Sequence, residues 1–174
     1  MTKPLFTEAQ IDGRLQEIAP QIVADLGPNF LMVPILTGGF IFAADLGRAL
    51  FAAGADPEVD FLQLSSYGHG RESTGHISLL KDLTAPVSGI PVLLVDDVLD
   101  SGRSLHAARE LVERRGAAEV KICVAVRKAV ARAQPVFADY ALFDVDGDAF
   151  LVGYGMDDAG GSRAMPVISV VEDD

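Results

Sequence analysis

The sequence is short of basic side chains. Lysine and arginine number 14 against 25 aspartates and glutamates, giving a formal net charge of -11 and a sequence pI near 4.6. Proteins that grip nucleic acid through its phosphates carry the opposite balance, which argues against a nucleic-acid partner. Cysteine is nearly absent as well: the lone Cys123 permits neither an internal disulfide nor a cysteine-rich metal site. The three histidines, His69, His76 and His106, show no metal-ligand spacing. The opening MTKPLFTEAQ lacks an apolar signal-like stretch, and no run elsewhere reaches membrane-spanning length without charges. No membrane partner is therefore expected, and a soluble protein of the cytoplasm is. Internal repeats, low-complexity tracts and Pro/Ser-rich linkers are also missing.

What remains is a chain of 174 residues, 49% hydrophobic and 22% charged, enough for one domain around one substantial core. Thr7 can cap a helix running to about Leu26, with Ile11, Leu15, Ile18 and Ile22 at helical spacing and Gly27-Pro28 as the stop. Phe30 to Leu36 is a short apolar run readable as a buried strand, although Pro34 counts against a central place in a sheet. Gly38-Gly39 opens a second helix through Leu46 and Leu50, ending near Gly54. Val59 to Tyr67 and Val92 to Val95 read as strands, and a polar, glycine-flanked loop from Gly68 to Gly75 separates them. A helix from Gly102 to Arg115 and a strand from Lys121 to Val126 follow, with Cys123 as a small core residue. This alternation implies an α/β fold with a mostly parallel sheet. Tyr140 to Val145, Phe150 to Val152 and Val167 to Val171 are strand-like without intervening helices, and should complete the sheet and add a small cap.

The chemistry concentrates in Val92 to Leu105. A buried strand delivers Asp96 and Asp97 at its carboxyl end, Asp100 follows, and Ser101-Gly102-Arg103-Ser104 opens a helix. Ligands of open α/β sheets bind in the crevice beyond the strand ends. Backbone N–H groups at the helix start, with Ser101, Gly102 and Ser104, make an anion site there. Adjacent acids above it suit sugar hydroxyls, directly or through hydrated magnesium. The plainer alternative is that the acids are surface charge and Ser101 or Ser104 only caps the helix. Three acids crowded at a buried strand end repel one another without a cation or hydroxyl partner, which disfavours it.

This stretch resembles the phosphoribosyl-diphosphate (PRPP) signature of type I phosphoribosyltransferases. The chain from about Phe30 to Val171 is similar to their hypoxanthine-guanine branch in particular. Leu36-Thr37-Gly38-Gly39-Phe40 sits where that branch has a pyrophosphate-binding loop. Ser66-Tyr67 with Ser73-Thr74-Gly75 resembles its mobile active-site loop, and Phe150 to Asp157 with Arg163 resembles its purine and second pyrophosphate segment. The resemblance implies one domain over residues 1–174, with a small hood built from the chain termini. The helix at about 7–26 and the segment at about 144–174 would contribute to hood and sheet edge.

It further implies that Asp96 and Asp97 hold the ribose hydroxyls and organise one magnesium ion. Asp100 would face N7 of the purine and manage its proton, while Asp100, Ser101, Gly102, Arg103 and Ser104 cradle the 5′-phosphate. Lys128, just past its strand, would donate to the 6-oxo group. Phe150 would stack on the base, and backbone groups of Leu151 and Asp157 would read its edge. The Asp157 carboxylate would ligate a second magnesium. Arg163, with Leu36, Thr37 and Gly38, would bind pyrophosphate across a cis Leu36-Thr37 peptide.

The reaction implied is transfer of 5-phosphoribosyl from PRPP to N9 of hypoxanthine or guanine by a homodimer or homotetramer. Three features depart from the family pattern. Thr37 stands where lysine is common, the acid pair is Asp-Asp rather than Glu-Asp, and Asp158-Ala159-Gly160-Gly161-Ser162 replaces the usual aromatics. A xanthine or adenine transferase, a PRPP- or nucleotide-sensing regulatory homologue and a phospho-accepting receiver domain are the alternatives. The receiver would carry its acids near the first strand, and here they fall after half the chain.

Overall fold

The computed structural model describes residues 2–66, 77–131 and 134–171. In chain order the elements are β1 (Thr2–Phe6), α1 (Glu8–Leu26), β2 (Leu31–Leu36), α2 (Phe40–Ala52), β3 (Glu58–Val59), β4 (Leu62–Ser66), β5 (Ile77–Lys81), β6 (Pro91–Leu99), α3 (Arg103–Arg114), β7 (Glu119–Ala129), β8 (Tyr140–Asp146), β9 (Leu151–Val152) and β10 (Ile168–Val171). The main sheet runs β5-β4-β2-β6-β7-β8, with β3 alongside β2. Its pairs are parallel except β4 with β5.

Strand β6 lies between β2 and β7 and is buried on both faces, which explains its unbroken apolar run. Leu93 and Val95 point into a core shared with Ile11, Ile22, Leu46 and Leu50 of α1 and α2. Val92 and Leu94 point the other way, to Leu105, Ala108 and Val112 of α3. The alternation along one strand thus serves two helical layers. Helix α1 starts in a capping box, Thr7 accepting from the Gln10 N–H and the Gln10 side chain accepting from Thr7. Arg14 of α1 donates to the carbonyls of Ala141 and Leu142 at 3.3 and 2.8 Å, which ties the helix to β8.

Pro34 does occupy a central strand, against the expectation. The carbonyls of Phe30 and Met32 accept from Glu58 and Asp60, so even-numbered residues of β2 turn their polar groups toward β3 and β4. Pro34 therefore aims its missing N–H at the break between those two strands, where no ladder bond is lost. Asp60 fills the break. Its carboxylate accepts from the N–H groups of Phe61, Thr84 and Ala85, the Thr84 hydroxyl and the Lys81 ammonium. Burial alone would raise its pKa, but the donors from Ala85, Lys81, Thr84 and Phe61 together hold it well below the usual carboxylate range.

The last strands divide. Tyr140–Asp146 completes the main sheet, whereas β9 and β10 join β1 in a separate antiparallel sheet of three strands. Both ends of the chain thus build a small hood. Strand β7 runs to Ala129, beyond the expected end at Val126, so Lys128 lies inside the strand rather than past it. Among the described residues no helix is long and apolar enough to cross a membrane.

Candidate active site

Four segments meet above the carboxyl ends of β2, β6 and β7. The first is the turn after β2, where the Leu36-Thr37 peptide is cis. Gly38 and Gly39 follow because nothing larger fits. A β-carbon on Gly38 would lie 2.1 Å from an Asp97 carboxylate oxygen, and one on Gly39 would lie 2.9 Å from the Val95 carbonyl. The second segment is the end of β6. Asp96 is only 9% exposed and accepts from the Asp97 N–H at 3.0 Å, while Asp97 accepts from the Val98 N–H at 2.8 Å. Burial pushes both carboxyls up in pKa, and for Asp96 the neighbouring Asp97 charge adds to the push. Such a pair calls for a cation or a set of hydroxyl donors.

The third segment is Asp100 to Ser104. Gly102 takes the N-cap of α3 with φ 75°, a left-handed conformation, and no side chain caps the helix. Ser101 Oγ accepts only a long bond from the Arg103 N–H, at 3.5 Å, and the helix start faces a cavity of about 230 Å³. Leu36, Gly38, Leu64, Asp96, Asp97, Asp100 to Ser104 and Arg163 line this cavity.

The fourth segment is the hood's turn after β9. Gly155, at φ 105°, presses so close to the loop after β2 that a β-carbon there would sit 2.1 Å from the Gly38 carbonyl. Arg163 donates to the Gly155 carbonyl at 2.6 Å and pairs with Asp157 at 2.7 Å. Asp157 also accepts from the Gly160 N–H at 2.9 Å.

A smaller cavity of about 190 Å³ adjoins the first, lined by Asp97, Val98, Asp100, Lys128, Phe150, Leu151, Met156 and Asp157. Asp97, Val98 and Asp100 line both. Lys128, 6% exposed, extends its ammonium to 3.0 Å from Asp100 and 3.5 Å from Asp148. Phe150 is 52% exposed at the rim, free of the core, where a flat ligand could lie on it. A lysine buried against two acids and an exposed phenylalanine make a polar-edged, apolar-faced slot.

The structure therefore brings together the candidate residues other than Thr37, Ser66, Tyr67, Ser73, Thr74 and Gly75. Thr37 is exposed and lines neither cavity. Ser66 ends β4, and Tyr67 lies outside the described residues, as do Ser73, Thr74 and Gly75. Asp148 was missed, because a single exposed acid before Phe150 carries no spacing signal. Among the described residues no three His, Cys, Asp or Glu side chains converge as a metal cage. The adjacent buried carboxylates instead fit a magnesium ion that keeps waters and takes ligand oxygens for its remaining positions.

A model of the phosphoribosyl transferase domain matches residues 7–159. The chain is 36% identical over 170 residues to the hypoxanthine phosphoribosyltransferase of Escherichia coli, covering 96% of this chain and 93% of that protein. It is 38% identical over 175 residues to the hypoxanthine-guanine phosphoribosyltransferase of Aquifex aeolicus, covering 98% and 95%. It also matches the bifunctional TilS/HprT protein of Listeria innocua at 35%, but spans only 26% of that protein's length. Among solved structures, a variant of the Trypanosoma cruzi hypoxanthine phosphoribosyltransferase complexed with the product IMP superposes with TM-score 0.90 at 31% identity, over 98% of this chain and 90% of that one.

Proposed function

The chain belongs to the phosphoribosyltransferase family, and on that premise we propose that its two joined cavities move 5-phosphoribosyl from PRPP to N9 of hypoxanthine or guanine. The C1′–N9 bond forms as the bond from C1′ to pyrophosphate breaks, and the purine gives up one proton. The observation that carries this reading is the shared wall. Asp97, Val98 and Asp100 face both the anion cavity and the slot beneath Phe150. A base in the slot and a ribose phosphate over the start of α3 would meet there.

In this reading the 5′-phosphate rests on Asp100 to Ser104, and Asp96 and Asp97 accept the ribose hydroxyls. Leu36, Thr37, Gly38 and Arg163 take the pyrophosphate. Asp100 manages the N7 proton, Lys128 donates to the 6-oxo group, Phe150 stacks, and backbone groups of Leu151 and Asp157 read the base edge. Magnesium, when bound, would neutralise charge on the departing pyrophosphate. Asp96 and Asp97 would hold one ion and Asp157 a second, for which its carboxylate keeps lone pairs beyond those used by Arg163 and Gly160. The net charge of -11 opposes a polyanion only weakly at this point, because screening over about 8 Å mutes remote acids.

The reading extends to a cytoplasmic homodimer or homotetramer acting on small molecules. An exposed apolar hollow formed by Phe40, Phe51 and Val59 supports self-association. Initial rates with PRPP and hypoxanthine, guanine, xanthine and adenine test the assignment. It predicts turnover of the first two and almost none of adenine. No nucleotide from any base would overturn it in favour of a sensing role.

A further inference from the structure

The hood and α2 are joined by a contact that neither cavity uses. Tyr154 follows β9 with φ 50°, a left-handed conformation that a tyrosine adopts only when its surroundings impose it. Its ring is 3% exposed and packs tilted against Phe42 of α2, with centroids 6.2 Å apart. Its hydroxyl donates to Asp45 of α2 at 2.9 Å. The other oxygen of Asp45 is paired with Arg48.

The consequence falls on the next residue. Gly155 packs onto the Gly38 carbonyl, and its own carbonyl receives the Arg163 guanidinium at 2.6 Å. The Tyr154 N–H is held by the Met165 carbonyl and the Gly155 N–H by the Arg163 carbonyl, so the two sides of the turn move together. Helix α2 begins directly after Gly38 and Gly39.

We propose that Tyr154, tethered to Asp45, is a positioning residue that sets Arg163 and the Gly38 loop at one fixed spacing for the diphosphate of PRPP. The inference rests on the assignment of Arg163 and Gly38 to pyrophosphate. A rigid clamp lowers the ordering cost when the anion binds, so loosening it should weaken diphosphate binding and spare the purine slot.

The test is a double-mutant cycle of Tyr154→Phe and Asp45→Ala, with Asp45→Asn as the variant that keeps an acceptor. Calorimetric binding of pyrophosphate and both Michaelis constants are the readouts. Each of the first two variants should weaken pyrophosphate binding and raise KM for PRPP about 3–10-fold, with kcat and the purine KM moving less than about twofold. The double variant should be no worse than the worse single, and Asp45→Asn should sit near the native protein. Additive losses, equal changes in both Michaelis constants, or native pyrophosphate binding by Tyr154→Phe would overturn the proposal. Should the native chain bind pyrophosphate yet turn over no purine, the transferase reading would fail and the tether would still be tested by binding.

Discussion

Replacing Gly38 by alanine adds one methyl group at a crowded point of the site. That β-carbon would stand 2.1, 2.6 and 2.9 Å from Oδ2, Cγ and Oδ1 of Asp97, far inside van der Waals contact. The carboxylate cannot swing away cheaply, because Oδ1 already accepts from the Val98 N–H at 2.8 Å. On the other side, the Gly38 carbonyl is pressed by Gly155, so the loop has little room to retreat. Overpacking of this kind costs about 1–3 kcal/mol. Where the cost falls on the PRPP-bound state, kcat/KM for PRPP drops about 5- to 150-fold. Initial rates with PRPP varied at saturating hypoxanthine measure this. Gly13→Ala is the control, because Gly13 lies in α1 with nothing within 4 Å of the added carbon. It should gain up to about 1 kcal/mol in stability and keep native rates. A Gly38→Ala protein with kcat/KM within twofold of native would refute the argument that Gly38 is there to admit Asp97.

Three other outcomes follow from the same geometry. Excess chelator should abolish product formation, because Asp96, Asp97 and Asp157 cannot face PRPP without a cation; full activity in chelator would remove the metal from all three. Lys128→Ala should shrink the preference for hypoxanthine over adenine. An ammonium donates to a 6-oxo group and cannot accept from a 6-amino group, and sites of this kind reject the wrong analogue by about 10⁴–10⁵. An unchanged ratio would show that Lys128 does not read the base. Asp60→Asn should lower stability at pH 7 by at least about 1–3 kcal/mol in urea denaturation, since buried donors lose a charged acceptor. Because the folded pKa of Asp60 is depressed, its contribution is present above the ordinary value of 3.8 and is lost as pH falls below it. The variant should therefore differ from native far less at pH 2 than at pH 7, and an equal gap at both would contradict the role given to its charge.

Most of this site was legible because its chemistry is local in sequence. The run from Val92 to Ser104 carries strand, acids and helix start together, and Phe150, Asp157 and Arg163 lie within one short stretch. Contacts between remote segments were not legible. Thr2–Phe6 gave no strand signal of its own and becomes one only by pairing with Ile168–Val171 at the far end of the chain. Pro34 looked wrong for a central strand until the break opposite it was visible, and Asp60 gave no hint that it gathers donors from the adjacent Phe61 and from the remote stretch Lys81 to Ala85. The strand expected to end at Val126 runs on through Arg127 and Lys128 to Ala129. Their aliphatic stems and their partners Asp144 and Asp100 let the strand continue.

The most direct test is a single-turnover measurement of nucleotide formation from PRPP and hypoxanthine by Asp100→Asn, with enzyme in excess so that product release does not limit the rate. Asp100 is one of three residues at which the two cavities meet, and the one assigned a proton. Loss of a positioned carboxylate base costs about 10²–10⁴ in rate. The account predicts a fall in that range, with PRPP binding little changed. A single-turnover rate equal to the native one would mean that the proton leaves by another route and that the junction of the cavities is not where the chemistry occurs.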